Sequence, residues 1–285
     1  MVLVVGASGL VGRACMKAFG RTGGVTGTYY RRAAPDLLSF DLTDPVAAAP
    51  LLERVAPRAV ICAGADPHVE GCEIDPAGTR RINVEGTLCL AKAADRAGVP
   101  FVFFSTEYVF DGTKGPYAED APHAPINEYG RQKADVETGL GGWPKALIVR
   151  TSGVFGWSDD GKNFVLQLIA RLGRGERMKV PDDQVITPTY APNLAAVLVD
   201  LVDGGVTGIV HVAGARPMNR VAFARAAARA FDLDPALIDP TPTDALGLKA
   251  ARPRGAGLAT AKAARLAATR LLTAEESLMT MRATK

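Results

Sequence analysis

The fold is decided by the opening stretch of the chain, which reads Val2-Leu3-Val4-Val5-Gly6-Ala7-Ser8-Gly9-Leu10-Val11-Gly12. Four consecutive apolar residues predict a buried strand, and the periodic residues 10–19 predict a helix directly after the turn. Glycines in such a turn let the backbone approach a pyrophosphate, and the helix N-terminus adds N–H donors and a positive dipole. Strand–helix turns also use glycine for structural reasons, but the position of this turn favours a nucleotide site. The residues expected to build that site are Gly6, Ser8, Gly9, Leu10, Val11 and Gly12.

The rest of the first half repeats the alternation of strand and helix. Apolar runs predict further strands at residues 25–29, 59–62, 101–105 and 146–150. Periodic segments between them predict helices at residues 46–55, 78–97 and 128–140. Repeated strand–helix–strand order with right-handed crossovers gives a parallel sheet covered by helices on both faces. The predicted fold class is therefore α/β, a Rossmann-type doubly wound parallel sheet.

The alternation breaks after about residue 151, which predicts a second unit. The later segments with clear periodicity are helices at residues 164–172, 192–202 and 221–231 and a strand at 209–212. We expect a dinucleotide-binding domain at residues 1–152, to which residues 187–212 return. Residues 153–186 and 213–285 are expected to form a smaller C-terminal lobe that binds the substrate.

Composition and charge exclude several classes of function. The chain has 285 residues with 33 basic and 30 acidic side chains, and a net charge of +3 is too small for a surface that follows nucleic acid phosphates. Four cysteines without a C-x-x-C pair and three isolated histidines predict neither a metal site nor a disulfide. The sequence lacks an apolar run of the roughly 18 residues that span a bilayer, and its N-terminus is typical of a strand and not of a leader. We expect a cytoplasmic protein without nucleic acid or membrane partners.

The end of the second predicted strand indicates which dinucleotide binds. An NAD site usually has Asp or Glu there to hold the ribose 2′-hydroxyl, whereas this chain has Arg31 and Arg32. A guanidinium binds a 2′-phosphate that a carboxylate would repel, so NADP(H) is the expected cofactor; the alternative is that both arginines are solvated loop charges. Asp41 is placed to accept from the adenine amino group, unless it caps the next helix. Other expected cofactor contacts are Leu42, Ala63 and Gly64.

A tyrosine and a lysine four residues apart form the candidate catalytic pair. Tyr129 and Lys133 lie on one face of the helix predicted at residues 128–140. A nearby cation stabilises a phenolate, so such a tyrosine can donate a proton to the alkoxide that forms when hydride reaches a carbonyl. Ser105 and Thr106 stand at the carboxyl end of the fifth strand, where ligands bind in such sheets. A hydroxyl there can hold a substrate carbonyl beside the tyrosine.

This ordered set of features resembles the extended short-chain dehydrogenases/reductases, and longer motifs resemble their dTDP-4-dehydrorhamnose reductase family. The motifs with the closest likeness are Ser105-Thr106-Glu107-Tyr108-Val109-Phe110-Asp111-Gly112-Thr113, Pro125-Ile126-Asn127-Glu128-Tyr129-Gly130, Arg150-Thr151-Ser152 and Arg252-Pro253-Arg254. The resemblance covers most of the chain. It implies an NADPH-dependent reductase that acts on a keto group of a nucleotide-linked deoxysugar.

The resemblance also implies roles for individual residues. Thr106 would be the hydroxyl member of a catalytic triad, with Ser105 as a weaker candidate. Tyr129 would be the acid, and Lys133 would lower its pKa and hold the nicotinamide ribose, so both residues also count as cofactor contacts. The expected contacts to the substrate are Thr106, Tyr108, Asn163 and Arg252. A homodimer is the assembly considered for the protein.

Two positions depart from the family pattern. Glu107 stands where the family usually has Asp, and Gly153 stands where it usually has a Trp that lines the sugar pocket in rhamnose reductases. Loss of this aromatic platform leaves the identity of the sugar open. The alternative function is a non-catalytic, NADP-binding regulatory subunit that resembles the β subunit of methionine adenosyltransferase. An epimerase or dehydratase is disfavoured by Arg31 and Arg32, since such enzymes usually prefer NAD.

Overall fold

The computed structural model describes residues 1–284, and its centre is a seven-stranded parallel sheet. The strands are β1 (Val2–Val5), β2 (Val25–Tyr29), β3 (Leu37–Ser39), β4 (Ala59–Cys62), β5 (Phe101–Thr106), β6 (Ala146–Thr151), β7 (Val154–Phe155), β8 (Met178–Pro181), β9 (Val185–Ile186), β10 (Thr189–Tyr190), β11 (Gly208–His211), β12 (Met218–Asn219) and β13 (Ile238–Thr241). The central sheet has the order β11-β6-β5-β4-β1-β2-β3. The strand order reverses between β1 and β4, and ligands bind outside the carboxyl ends of strands at such a point. The predicted α/β fold class is confirmed.

Helices cover both faces of this sheet. The helices are α1 (Leu10–Thr22), α2 (Ala48–Val55), α3 (Val69–Ile74), α4 (Pro76–Arg80), α5 (Thr87–Arg96), α6 (Glu128–Leu140), α7 (Phe164–Leu172), α8 (Ala191–Asp203), α9 (Arg220–Ala230), α10 (Ala261–Leu266) and α11 (Ala274–Ala283). One face packs on α1 and α8 around Phe19 and Leu198. The other face packs on α2, α5 and α6 around Leu52, Leu90 and Val136. Burial on both faces explains why the strands are continuous apolar runs.

The structure divides the single helix predicted at residues 78–97. The side chain of Asp75 caps α4, which therefore begins before the predicted start. A π-helical turn at Arg81–Gly86 then separates α4 from α5. The predicted helix is therefore present, but it contains a π turn, which inserts a residue into the helix without breaking the apolar periodicity enough to be noticed.

The chain after β6 builds a second apolar core. Residues of β7, α7, α9 and α11 meet in it, including Phe155, Leu168, Phe223 and Leu278. Short strand pairs flank this core: β7 with β10, β9 with β12, and β8 with β13. Between these elements, α8 and β11 lie on the central sheet, where β11 pairs with β6. The carboxyl edge of the central sheet therefore adjoins the second core.

Candidate functional site

The glycine-rich turn between β1 and α1 is shaped for a ligand that needs close approach of the backbone. Gly6 has φ +83°, and a Cβ on it would lie 2.5 Å from the amide nitrogen of Gly64, at the end of β4. A Cβ on Gly12 would lie 2.2 Å from the carbonyl oxygen of Gly6. No side chain caps α1 and no acidic residue stands in its first turn. The free N–H groups and positive dipole of this helix end therefore fit the pyrophosphate of a dinucleotide.

The two arginines after β2 are exposed and lie beside a loop from the second half of the chain. The guanidinium of Arg31 lies 5.6 Å from the ring centroid of Tyr30. Arg32 forms an ion pair with Asp160 at 3.1 Å, and Arg13 of α1 pairs with Asp159. Both arginines keep donors that a 2′-phosphate could use, because an exposed ion pair of this kind is weak.

The other expected cofactor residues lie along the same edge of the sheet. Asp41 accepts hydrogen bonds from the amide and the hydroxyl of Thr43, at 2.8 and 2.7 Å, so its side chain already shapes the turn after β3. Leu42 is buried beside it. Ala63 and Gly64 follow β4 directly and border the turn at Gly6. The contact of each with a cofactor stays a prediction.

The candidate triad converges at the carboxyl end of β5. Thr106 is the last residue of β5, and Tyr129 and Lys133 lie one turn apart on α6. The Thr106 hydroxyl accepts from the Tyr108 amide at 3.2 Å, and it lies close enough to the Tyr129 phenol to act on the pKa of that group. The ring of Tyr108 meets that of Tyr129 edge to face, with centroids 6.1 Å apart. Thr106 and the pair of Tyr129 and Lys133, which are distant in sequence, thus form one site.

Lys133 is buried beneath this site. Its Nζ donates to the carbonyl oxygen of Phe104 at 2.9 Å and lies 5.8 Å from the ring centroid of Tyr129. Burial lowers the pKa of Lys133 to about 8, while the thiols of Cys62 and Cys72 oppose this effect. The ammonium is therefore largely protonated at neutral pH, and two of its protons remain for other acceptors.

The phenol of Tyr129 is held in its protonated form. Burial raises its pKa, and the negative charge of the Glu107 carboxyl raises it further. The nearby Thr106 hydroxyl acts in the opposite direction but is outweighed. A phenol in this state donates a proton and does not accept one, which suits protonation of an alkoxide.

Glu107 is a buried carboxyl that the sequence marked only as a departure from the family pattern. It is 5% exposed, and burial raises its pKa to about 7. Hydrogen bonds from its own amide, Ser152 and Thr106 lower the pKa but are outweighed by burial. The positive charge of Arg220 also acts on it. A carboxyl whose pKa is raised toward neutral pH beside a candidate acid is a further candidate for the functional site. Its place directly after Thr106 is the signal that could have identified it.

Ser105 points away from Tyr129 and into the protein. Its hydroxyl donates to the carboxylate of Glu137 on α6. The same carboxylate forms a buried ion pair with Arg150 of β6 at 2.6 Å and contacts the ring of His123 at 2.8 Å. Ser105 therefore supports α6 from behind, and Thr106 is the hydroxyl at the site.

Two residues expected to contact the substrate are engaged within the protein. Asn163 caps α7 by accepting from the Leu166 amide at 3.3 Å, and it donates to the carbonyl of Gly156 at 2.8 Å. Arg252 pairs with Glu70 at 2.6 Å. Their contact with a substrate stays a prediction, as does that of Tyr108.

Residues 1–284 lack two features that are typical of other classes of protein. No three His, Cys, Asp or Glu side chains in this range are grouped so that they could hold a metal ion. Within the same range, none of the helices combines the length and the apolar character needed to cross a bilayer.

Known proteins are similar to this chain in both sequence and fold. Residues 1–284 match the family described as "RmlD substrate binding domain". The "Probable low-salt glycan biosynthesis reductase Agl14" of Haloferax volcanii is 34% identical over 88% of this chain and 87% of its own, and a dTDP-4-dehydrorhamnose reductase of Burkholderia thailandensis is 34% identical over 88% of each. The β subunit of methionine adenosyltransferase 2 from Pongo abelii is 31% identical over 90% of this chain and 79% of its own.

A solved structure extends this likeness to three dimensions. The dTDP-4-dehydrorhamnose reductase of Bacillus anthracis, crystallised in complex with NADP, superposes with a TM-score of 0.89 at 25% identity, covering 100% of this chain and 99% of the other. The match spans the central sheet and the second core alike. The chain therefore belongs to the RmlD, or dTDP-4-dehydrorhamnose reductase, family of extended short-chain dehydrogenases/reductases.

Proposed function

We propose that this protein is an NADPH-dependent reductase of a keto group on a nucleotide-linked deoxysugar, with a reaction like that of dTDP-4-dehydrorhamnose reductase. The observation that carries the proposal is the meeting of Thr106, Tyr129 and Lys133 at the carboxyl end of β5. The reductases named among its relatives support the same class of reaction.

The cofactor is NADP(H), and the chain fits it at two places. The cradle formed by Gly6, Gly12 and Gly64 receives the pyrophosphate at the start of α1. Arg31 and Arg32 supply guanidinium groups for the 2′-phosphate. When bound, NADPH supplies the hydride for reduction of the keto carbon.

The side chains of the site supply the proton and the orientation. Tyr129, whose pKa is raised, donates the phenolic proton to the oxygen of the reduced carbonyl. Thr106 holds that oxygen beside the phenol through its hydroxyl. Lys133, fixed to the Phe104 carbonyl, would hold the nicotinamide ribose, and its positive charge near the ring of Tyr129 would stabilise the phenolate that remains after the proton has been donated.

The presence of two apolar cores supports the assignment of cofactor binding and substrate binding to different parts of the chain. Residues 1–152, joined by residues 187–212, would bind the cofactor. Residues 153–186 and 213–285 would bind the nucleotide sugar, with Tyr108, Asn163 and Arg252 at the boundary. The free cysteines, three of them buried, support a reducing compartment such as the cytoplasm. The mass of the protein in solution, measured by light scattering, tests whether it forms a homodimer.

The experiment that tests the proposal compares NADPH oxidation by the wild type and by Tyr129→Phe with a panel of nucleotide-linked ketosugars. We expect the variant to lose about 100-fold or more of the rate and to keep its affinity for NADPH, because only the donated proton is removed. Tyr190→Phe is the matched control, since Tyr190 is also buried and its hydroxyl lies 3.5 Å from Thr284, away from the site. Equal rates for wild type and Tyr129→Phe would contradict the mechanism.

A second function is favoured by one specific observation, the likeness to the β subunit of methionine adenosyltransferase 2. In that case the chain would bind NADP and change the activity of a partner enzyme without turnover of its own. Co-purification of such a partner, together with no oxidation of NADPH by any ketosugar, would favour this function over the reductase.

A further inference from the structure

An arginine of the second core reaches toward the candidate site without a carboxylate partner. Arg220 begins α9, and its guanidinium lies over the ring of Phe164 on α7, 4.7 Å from the centroid. Its Nη1 donates to the side-chain oxygen of Gln184 at 3.3 Å. Stacking on an aromatic ring fixes the plane of the guanidinium and so the direction of its donors.

The edge of the guanidinium formed by Nε and Nη2 is free. Nε is buried and has no hydrogen-bond partner among residues 1–284, and within that range Arg220 forms no ion pair. Two arginines later in the chain are paired instead: Arg252 with Glu70, and Arg254 with Asp183 and Asp244. A buried donor without a partner is costly in a folded protein, and an acceptor supplied by a ligand would remove that cost.

The position of Arg220 connects this free edge to the site. Its positive charge acts on the carboxyl of Glu107 and on the phenol of Tyr108, both of which follow β5. Phe164 and Gln184 hold it from the side of the second core. Arg220 therefore lies between the second core and the residues that surround Tyr129.

We infer that the free edge of Arg220 binds the diphosphate of the nucleotide-linked sugar and that Arg220 is a substrate-binding residue of this site. Nε–H and Nη2–H are parallel donors whose spacing matches two oxygens of one phosphate, and such bidentate pairs are stronger than single hydrogen bonds. A lysine could supply the charge but not the paired donors. The inference rests on the proposed function, since it names the group by which that substrate is recognised.

The test measures binding of dTDP and of UDP to the NADP⁺-loaded protein by calorimetry. We expect Arg220→Gln to weaken binding of the diphosphate that the wild type prefers by about tenfold or more, and Arg220→Lys to restore only part of it. Arg225→Gln, on an exposed position of the same helix, should bind like the wild type. The affinity for NADP⁺ should be equal in all variants, which shows that they are folded.

Three outcomes would overturn the inference. The first is equal diphosphate affinity in wild type and Arg220→Gln, and the second is no binding of either diphosphate by the wild type. The third is a loss of affinity in Arg220→Gln that is equally large for thymidine or uridine. These nucleosides carry no phosphate, so Arg220 would then act by packing. Turnover of ketosugars is measured separately. If diphosphate binding depends on Arg220 but no ketosugar is reduced, the diphosphate site is supported and the reductase function is refuted. If ketosugars are reduced but Arg220→Gln binds diphosphates like the wild type, the reductase function is supported and the diphosphate site is refuted.

Discussion

Replacement of Glu137 by Gln should destabilise the protein strongly, because it leaves the buried guanidinium of Arg150 without an ionised partner. The two side chains are each 1% exposed, and their atoms approach to 2.6 Å. The guanidinium of Arg150 forms further hydrogen bonds, to the Glu119 carbonyl at 3.1 Å and to the ring of His123 at 3.0 Å. The perturbation therefore acts on a packed polar cluster between α6 and β6.

The magnitude follows from the pKa of Glu137. Burial alone would raise this pKa, but hydrogen bonds from His123, Arg150 and Ser105 outweigh it and lower the pKa from 4.5 to about 2. A shift of this size corresponds to about 3 kcal/mol of stability at neutral pH. Loss of one partner of a buried pair costs about 3–5 kcal/mol in other proteins, which agrees with that figure.

The assay is urea unfolding of wild type and Glu137→Gln at pH 7, with Asp135→Asn as the control. Asp135 lies on the same helix, but its ion pair with Arg80 is 45% exposed on both sides, so its loss should cost about 1 kcal/mol or less. A folded-state pKa below the unfolded value stabilises the protein above pH 4.5, and this contribution is lost as the pH falls toward 2. The difference between wild type and Glu137→Gln should shrink accordingly in acid. Equal stability of the Glu137 and Asp135 variants at pH 7 would refute the reasoning.

Further predictions concern the cofactor and the buried carboxyl of the site. Arg31→Ala should weaken binding of NADPH and leave NADH little changed in a fluorescence titration; unchanged NADPH affinity would count against the assignment. Asp160→Asn frees Arg32 from its ion pair and should tighten NADPH binding by about two- to fivefold, with no effect on NADH. Glu107 has a raised pKa, so its contribution to stability is complete below pH 4.5 and is lost as the pH rises through about 7. The free energy of unfolding of Glu107→Gln, relative to that of the wild type, should therefore increase by about 3 kcal/mol from pH 5 to pH 8 in thermal or urea unfolding. A difference between the two proteins that does not change with pH would disprove this assignment of the pKa.

The sequence was sufficient for the parts of the structure that local patterns determine. Buried parallel strands are apolar on both faces, so their positions could be read from short runs such as Val2–Val5 and Ala59–Cys62. The convergence of Thr106 and Tyr129 was also predictable, because the carboxyl ends of parallel strands share one edge of the sheet. Longer helices were found within a few residues of their ends.

The remaining features depend on packing between distant segments. The pair of Glu137 with Arg150 and the contact of Arg220 with Gln184 join side chains whose sequence positions carry no mutual signal. The π turn at Arg81–Gly86 is equally invisible in the apolar pattern. The raised pKa of Glu107 arises mainly from its burial in the folded protein, which no local motif encodes. Such residues become apparent only when the fold has placed them.

The alternation of side chains along β5 explains how one strand serves both the core and the site. Neighbouring residues of a strand point to opposite faces, so Ser105 bonds to Glu137 behind the sheet edge while Thr106 meets Tyr129. Glu137 lies one turn beyond Lys133 on α6, and the Ser105 bond therefore ties the helix that carries Tyr129 and Lys133 to the strand that carries Thr106. Because Thr106 and Tyr129 must stay within hydrogen-bonding distance, this tie behind the site fixes their separation. Loss of the buried cluster should therefore affect the orientation of the triad as well as the stability of the fold.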